Sequence, residues 1–244
     1  MNLKGKVAIV TGGAKRIGRV LALGLARRGC HVAITYRRSA QEAAQTVRRI
    51  QAFKVRGWAV SVDQRDPSQV SQAVQAVWEK FQRLDILINN ASSFYPTPWA
   101  DVSPEQWEDL LAANLSGPWY FAQVAGRLMK RRGSGKIVNL VDVAAFLPWT
   151  NYLPYCTAKG GLLTLTRGLA RALAPEVQVN AIAPGPILFP TDIPAKQKRQ
   201  AIRKTLLKRQ GSPEDLLQAA LFFLEGSDFV TGAVLPVDGG RLLA

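Results

Sequence analysis

The chain predicts a single-domain, doubly wound α/β fold: one parallel sheet with helices on both faces. Three observations carry this. Apolar runs of strand length alternate with longer amphipathic stretches along the whole sequence, the order expected of strand–helix–strand units. Runs such as Val7-Ala8-Ile9-Val10 and Ile86-Leu87-Ile88 lack polar alternation, as strands buried on both faces should. The 244 residues, 48% of them apolar, suit one large core, and no linker, repeat or low-complexity tract interrupts them.

The elements follow in order. Residues 6–11 read as the first strand and 16–28 as the first helix, with Ile17, Leu21 and Leu25 at fourfold spacing and Gly29 as a stop. A second strand at 31–35 and a helix at 40–53 come next, then a third strand at 58–62. Asp66-Pro67 opens a helix to Phe81, an N-cap followed by the proline that suits a first helical position. The fourth strand is 84–88. Helices at 104–113 and 115–130 precede a fifth strand at 136–140. A long helix covers 155–173, a sixth strand 178–182, a helix 213–224, and a last short strand 233–236. Between the last two helices lies a basic segment, 196–210.

Composition bounds the function. Lys and Arg number 32 against 17 Asp and Glu, a formal net charge of +15. Such an excess points to an anionic partner: nucleic acid, an acidic membrane surface or a phosphorylated ligand. The basic residues are scattered, at Arg27-Arg28, Arg48-Arg49, Lys130-Arg131-Arg132 and 196–208, with no zinc spacing or base-reading motif, so no nucleic-acid partner is expected. No run of about 18 apolar residues predicts a membrane span. Two distant cysteines, Cys30 and Cys156, make no disulfide framework and imply a reducing, cytoplasmic setting. No metal site is expected.

Two places carry chemistry. Thr11-Gly12-Gly13-Ala14-Lys15-Arg16-Ile17-Gly18 joins the first strand to the first helix. Glycines there let a pyrophosphate approach a helix N-terminus. The second strand ends in Tyr36-Arg37-Arg38-Ser39, with no acidic residue. An acid there would bind the ribose 2′-hydroxyl of NAD, whereas arginine accommodates the 2′-phosphate of NADP, so NADPH/NADP+ is the expected cofactor. Asp63 is placed either to meet the adenine amino group or to cap the following helix. At the other end, Tyr155 and Lys159 stand four apart at a helix start and share a face. An ammonium beside a phenol is expected to lower the phenol pKa toward working pH, which makes a proton donor for a carbonyl or imine.

Together with Asn89-Asn90-Ala91, Asn114, Pro184-Gly185 and the tail Val230-Thr231-Gly232…Val237-Asp238-Gly239-Gly240, these motifs resemble the short-chain dehydrogenase/reductases over essentially the whole chain and in the family's order. The resemblance implies a Rossmann-type domain, hydride transfer from a nicotinamide, and a catalytic set of Tyr155, Lys159 and Asn114, the last bending a helix and holding a relay water. It implies cofactor contacts from Gly12, Lys15, Arg16, Ile17, Gly18, Asn90, Ala91, Ser92, Tyr155, Lys159, Pro184, Gly185 and Ile187, a mobile substrate lid at about 186–210, and a homotetramer built through the helices at 115–130 and 155–173.

Departures from the general pattern narrow this. Arg16 replaces the middle glycine of the turn, and Asp142 stands where a catalytic serine is expected. Both features, with Asn89-Asn90-Ala91-Ser92-Ser93-Phe94-Tyr95-Pro96-Thr97-Pro98, resemble the pteridine reductase and dihydromonapterin reductase branch. That branch implies a pterin or folate substrate, with Phe94 stacking on the ring. Arg16 would reach the ring edge, Ser93 would bind its amino side, Leu188 would line the pocket, and Asp142 with Tyr155 would protonate a ring nitrogen. Trp149, Tyr152, Leu153 and Phe189 are further candidate pocket residues. The rival on the same fold is a carbonyl or 3-oxoacyl-thioester reductase. The basic segment at 196–210 either meets an acidic substrate tail or is simply solvated.

Overall fold

A computed structural model of the protein describes residues 1–189 and 193–244. The expected lid therefore falls partly outside the described residues, at 190–192. Seven strands, β1 (Val7–Val10), β2 (His31–Tyr36), β3 (Gly57–Ser61), β4 (Ile86–Asn89), β5 (Gly135–Leu140), β6 (Val177–Pro184) and β7 (Val234–Val237), form one sheet in the order β3-β2-β1-β4-β5-β6-β7. Every pairing is parallel. The helices are α1 (Arg16–Arg27), α2 (Ala40–Gln51), α3 (Pro67–Phe81), α4 (Pro104–Leu111), α5 (Gly117–Arg132), α6 (Leu153–Leu173), α7 (Ala195–Arg203) and α8 (Pro213–Leu221).

Strand periodicity divides the core between the two faces. Ala8 and Val10 of β1 pack with Leu21 and Leu25 of α1 and Leu216 of α8. Their neighbours Val7 and Ile9 point the other way, toward Val70 and Val77 of α3, Phe121 of α5 and Leu169 of α6. Side chains alternate sides along a strand, so each four-residue strand feeds two cores. The expected proline starts hold: Asp66 caps α3 through Ser68 N–H and Gln69 N–H, and Ser103 and Ser212 close capping boxes ahead of Pro104 and Pro213.

The strand order reverses between β1, which leads outward to β2 and β3, and β4, which leads to β5 through β7. A crevice at the carboxyl ends of such a pair is the usual ligand position in an open α/β sheet. Two helices carry a wider turn: residues Ala112–Ser116 between α4 and α5, and Phe222–Gly226 after α8. The first sits at the site.

The positive charge gathers on few carboxylates. Buried Asp85 meets Arg83 at 2.6 Å, Arg132 at 2.9 Å and Lys6 at 3.8 Å. Asp228 meets Lys136 at 2.6 Å and the N-terminal ammonium at 3.3 Å. Each of these carboxylates touches more than one cation, so the clusters themselves remain net positive.

Candidate active site

A cleft of about 480 Å³ opens where the sheet order reverses, lined by the turn after β1, the ends of β2 and β3, and residues 90–93 after β4. Gly12, Lys15, Arg16, Ile17, Gly18, Tyr36, Arg37, Arg38, Ser39, Asp63, Asn90, Ala91 and Ser92 all line it. The turn is built tightly. Gly12 has φ +64°, and a Cβ at Gly18 would lie 2.3 Å from the Gly12 carbonyl oxygen. Thr11 Oγ1 accepts from Asn90 N–H and Ala91 N–H, both at 2.9 Å, and Asn90 Nδ2 donates to the Thr11 carbonyl at 2.8 Å. These bonds lock the turn against the end of β4. A cradle of backbone with no room for a Cβ, followed by a helix start and two arginines, fits a dinucleotide carrying a 2′-phosphate.

Arg16 has φ +53°. The family glycine at this position avoids a conformation that costs an L-residue about 1–2 kcal/mol. A side chain kept there at that cost marks a use for it. Its Nη2 donates to the carbonyls of Leu188 and Phe189, both at 3.1 Å. Arg16 thus clips the glycine turn to the segment after β6.

At the other end, Tyr155 hydroxyl donates to Asp142 Oδ2 at 2.8 Å, while Asp142 Oδ1 accepts from Ala144 N–H at 2.8 Å. Asp142 therefore both caps a turn and holds the phenol. Lys159 is 3% exposed and donates to the Leu140 carbonyl at 2.8 Å, with its ammonium 5.7 Å from the Tyr155 ring centre. Burial lowers the Lys159 pKa to about 8, against the opposing charge of Asp142. Burial also raises the Asp142 carboxyl, and the Ala144 and Tyr155 hydrogen bonds oppose it only in part. The Tyr155 phenol corrects the sequence expectation: burial first, then the charge and hydrogen bond of Asp142, raise its pKa rather than lower it. Both shifts run toward the protonated forms, the direction a proton donor needs.

Asn114 is fully buried in the wide turn at Ala112–Ser116. Its Oδ1 accepts from Ser92 Oγ at 2.6 Å and Ser93 N–H at 3.2 Å, and its Nδ2 donates to the carbonyls of Ser93 and Leu110. It does interrupt a helix, as expected, and it anchors the loop after β4.

Phe94 lies beside the phenol. Its ring meets Tyr155 edge-on at 4.9 Å and stacks on Tyr152 at 4.6 Å, with Trp149 completing the cluster. Tyr155 is 5% exposed beneath it. Asp63 does not cap α3, a task taken by Asp66; it pairs with Arg65 at 3.1 Å and Arg37 at 3.5 Å. Ser93 Oγ accepts from Arg65 at 2.9 Å. Leu153 turns away to a separate apolar groove with Trp99 and Trp107. Pro184, Gly185 and Ile187 are not among the residues lining the cleft; the Ile187 side chain is buried in the core and borders a second cavity with Leu207 and Val237. Leu188 is half-exposed and enters through its carbonyl. Sequence reasoning missed Arg65, which belongs to no motif.

Among the described residues no cluster of His, Cys, Asp and Glu is arranged to hold a metal ion, and no helix is long and apolar enough to cross a membrane.

The family profile described as enoyl-(acyl carrier protein) reductase matches residues 12–241. A 3-oxoacyl-[acyl-carrier-protein] reductase of Synechocystis sp. is 31% identical over 245 residues, 99% of this chain and 98% of the relative. The crystal structure of an NADPH-dependent 3-quinuclidinone reductase from Rhodotorula rubra superposes with TM-score 0.91 at 29% identity, covering 100% and 93% of the two chains. A blue fluorescent protein from a metagenomic library, solved with NADPH, gives TM-score 0.92 at 32% identity over 99% of each chain. The glycine turn, the Tyr155–Lys159 pair and this end-to-end match together place the chain in the short-chain dehydrogenase/reductase family, as an NAD(P)-dependent oxidoreductase.

Proposed function

We propose that the protein is an NADPH-dependent pteridine reductase that converts a dihydropterin to the tetrahydropterin. The observation that carries this is the carboxyl of Asp142, 2.8 Å from the Tyr155 hydroxyl. A ketone needs one hydroxyl donor at its oxygen. A ring imine needs a proton at nitrogen; a phenol backed by a protonated carboxyl would supply one and leave the negative charge on Asp142, held by the Ala144 N–H and the Tyr155 hydroxyl, rather than on a phenolate. NADPH, when bound, supplies the hydride, which would add to C6 of the C6=N5 bond.

The chain's own residues would do the rest. Tyr155 passes its proton to N5, and Asp142 returns one to Tyr155. Lys159 holds the cofactor ribose and tunes the phenol. Asn114 fixes Ser92 and Ser93 along the cleft, and Arg37 and Arg38 take the 2′-phosphate. Phe94 swings from Tyr152 to stack on the pterin, a flat, electron-poor ring. A cytoplasmic homotetramer and a lid over residues 186–210 belong to the same reading.

A second reading, reduction of a ketone or 3-oxoacyl thioester, is favoured by the named relatives, a 3-oxoacyl reductase and a 3-quinuclidinone reductase. NADPH oxidation with 7,8-dihydrobiopterin, dihydromonapterin, dihydrofolate and an acetoacetyl thioester separates the two. Turnover of a dihydropterin above the thioester supports the first reading; robust thioester reduction with no pterin turnover rejects it.

A further inference from the structure

We propose that Arg65 is a positioning residue that ties the loop carrying Phe94 to the adenosine end of the cleft, so that the cofactor's 2′-phosphate tightens binding of the acceptor. The proposal rests on the reading that Arg37 takes that phosphate.

Arg65 follows β3 and is one-fifth exposed. Its guanidinium serves three partners at once. One nitrogen donates to Asp63 Oδ1 at 3.1 Å, a second donates to Ser93 Oγ at 2.9 Å, and Nε forms an ion pair with Asp109 Oδ1 in α4 at 2.8 Å, outside hydrogen-bond geometry. The other Asp109 oxygen accepts from the Tyr95 hydroxyl at 3.0 Å. Arg65 therefore grips both sides of Phe94, Ser93 directly and Tyr95 through Asp109. A planar guanidinium holds its hydrogen bonds to Asp63 and Ser93 in fixed directions while its charge faces Asp109; an ammonium is a point charge and cannot reproduce that geometry.

The far end of the same network is cofactor-sensitive. Asp63 is shared between Arg65 and Arg37, the latter at the longer distance of 3.5 Å. A phosphate on Arg37 competes for its guanidinium and leaves Asp63 to Arg65 alone. The Asp63–Arg65 contact then strengthens, and the loop at 93–95 is held in one position. A cofactor lacking the phosphate leaves Asp63 divided. The phosphate thus favours the loop state that binds the acceptor, by a differential interaction.

The experiment measures acceptor KM and kcat with saturating NADPH and saturating NADH, using the full chain. The acceptor is whichever of 7,8-dihydrobiopterin and an acetoacetyl thioester is turned over, so the pterin reading can fail without removing the test. For the unsubstituted protein, acceptor KM is expected to be about fivefold lower with NADPH than with NADH, within the usual range of coupling. Arg65→Gln should raise acceptor KM with NADPH about tenfold, the size of one charge-assisted contact. It should leave kcat within about threefold and make acceptor KM the same with both cofactors. Arg65→Lys should not restore the difference. Asp109→Asn breaks only the loop side and should reproduce part of the KM rise, which serves if Arg65→Gln does not fold. Unchanged acceptor KM in folded Arg65→Gln and Asp109→Asn, or a surviving cofactor dependence in Arg65→Gln, overturns the proposal. Arg37→Ala that leaves NADPH KM unaltered instead rejects the phosphate reading and with it the coupling, while a KM rise in Arg65→Gln would still report the grip on Phe94.

Discussion

The two ends of the site are built on opposite principles. The cofactor end is an open cleft made of backbone: a glycine turn without room for a Cβ, a helix start, and half-exposed arginines. The chemical end is closed and made of side chains, with Tyr155 beneath Phe94, Trp149 and Tyr152 and Lys159 almost fully buried. Binding a phosphate needs many donors at a wet surface, where each is cheap to hold. Burial raises the pKa of a carboxyl or a phenol, because it penalises the charged form. Burial at the chemical end moves both Asp142 and Tyr155 toward their protonated forms.

Substitutions at the chemical end should therefore cost far more. Tyr155→Phe removes the proton donor and should lower kcat by about 10²–10⁴-fold, while NADPH binding, followed by its fluorescence, stays within about threefold. Asp142→Asn keeps a hydrogen-bond partner but removes the second proton, and should cost about 10²-fold with a dihydropterin. Its pH profile sharpens the point. The Asp142 carboxyl is raised above its ordinary value and is the form that returns a proton, so activity should fall as pH climbs through that raised value. Tyr155 is itself raised and titrates later still. Asp142→Asn should abolish this falling limb.

At the cofactor end, Arg37→Ala should raise NADPH KM about tenfold or more and move NADH KM less than about twofold. A position belonging to neither end gives the smallest effect. Asp66→Ala deletes the α3 cap and should cost about 1 kcal/mol in denaturant unfolding with kcat unchanged.

The contrast also explains what the sequence reveals. The cofactor end is local: residues 11–18 and 36–39 are contiguous, and their chemistry can be read in order. Strands and helices were equally legible, mostly within two residues, because buried parallel strands and capped helices leave strong signals at Val7–Val10 and Asp66-Pro67. The chemical end depends on burial, which the Tyr155–Lys159 spacing does not convey. Spacing suggested a lowered phenol; the enclosing aromatic cluster and Asp142 produce a raised one. Arg65 was invisible because its partners lie up to 44 residues away and none shares a motif with it. Arg16 was legible as an oddity, an arginine in a glycine position, but its grip on Leu188 and Phe189 needed the fold.

The central claim is that Asp142 makes the Tyr155 site a donor to nitrogen rather than to a ketone oxygen. It is tested most directly by the ratio of kcat/KM for 7,8-dihydrobiopterin to that for an acetoacetyl thioester, measured with NADPH before and after Asp142→Ser. The expected ratio is above one and falls by about 10²-fold or more in the serine variant. A ratio below one at the outset, unchanged or improved for the thioester by the substitution, would contradict it.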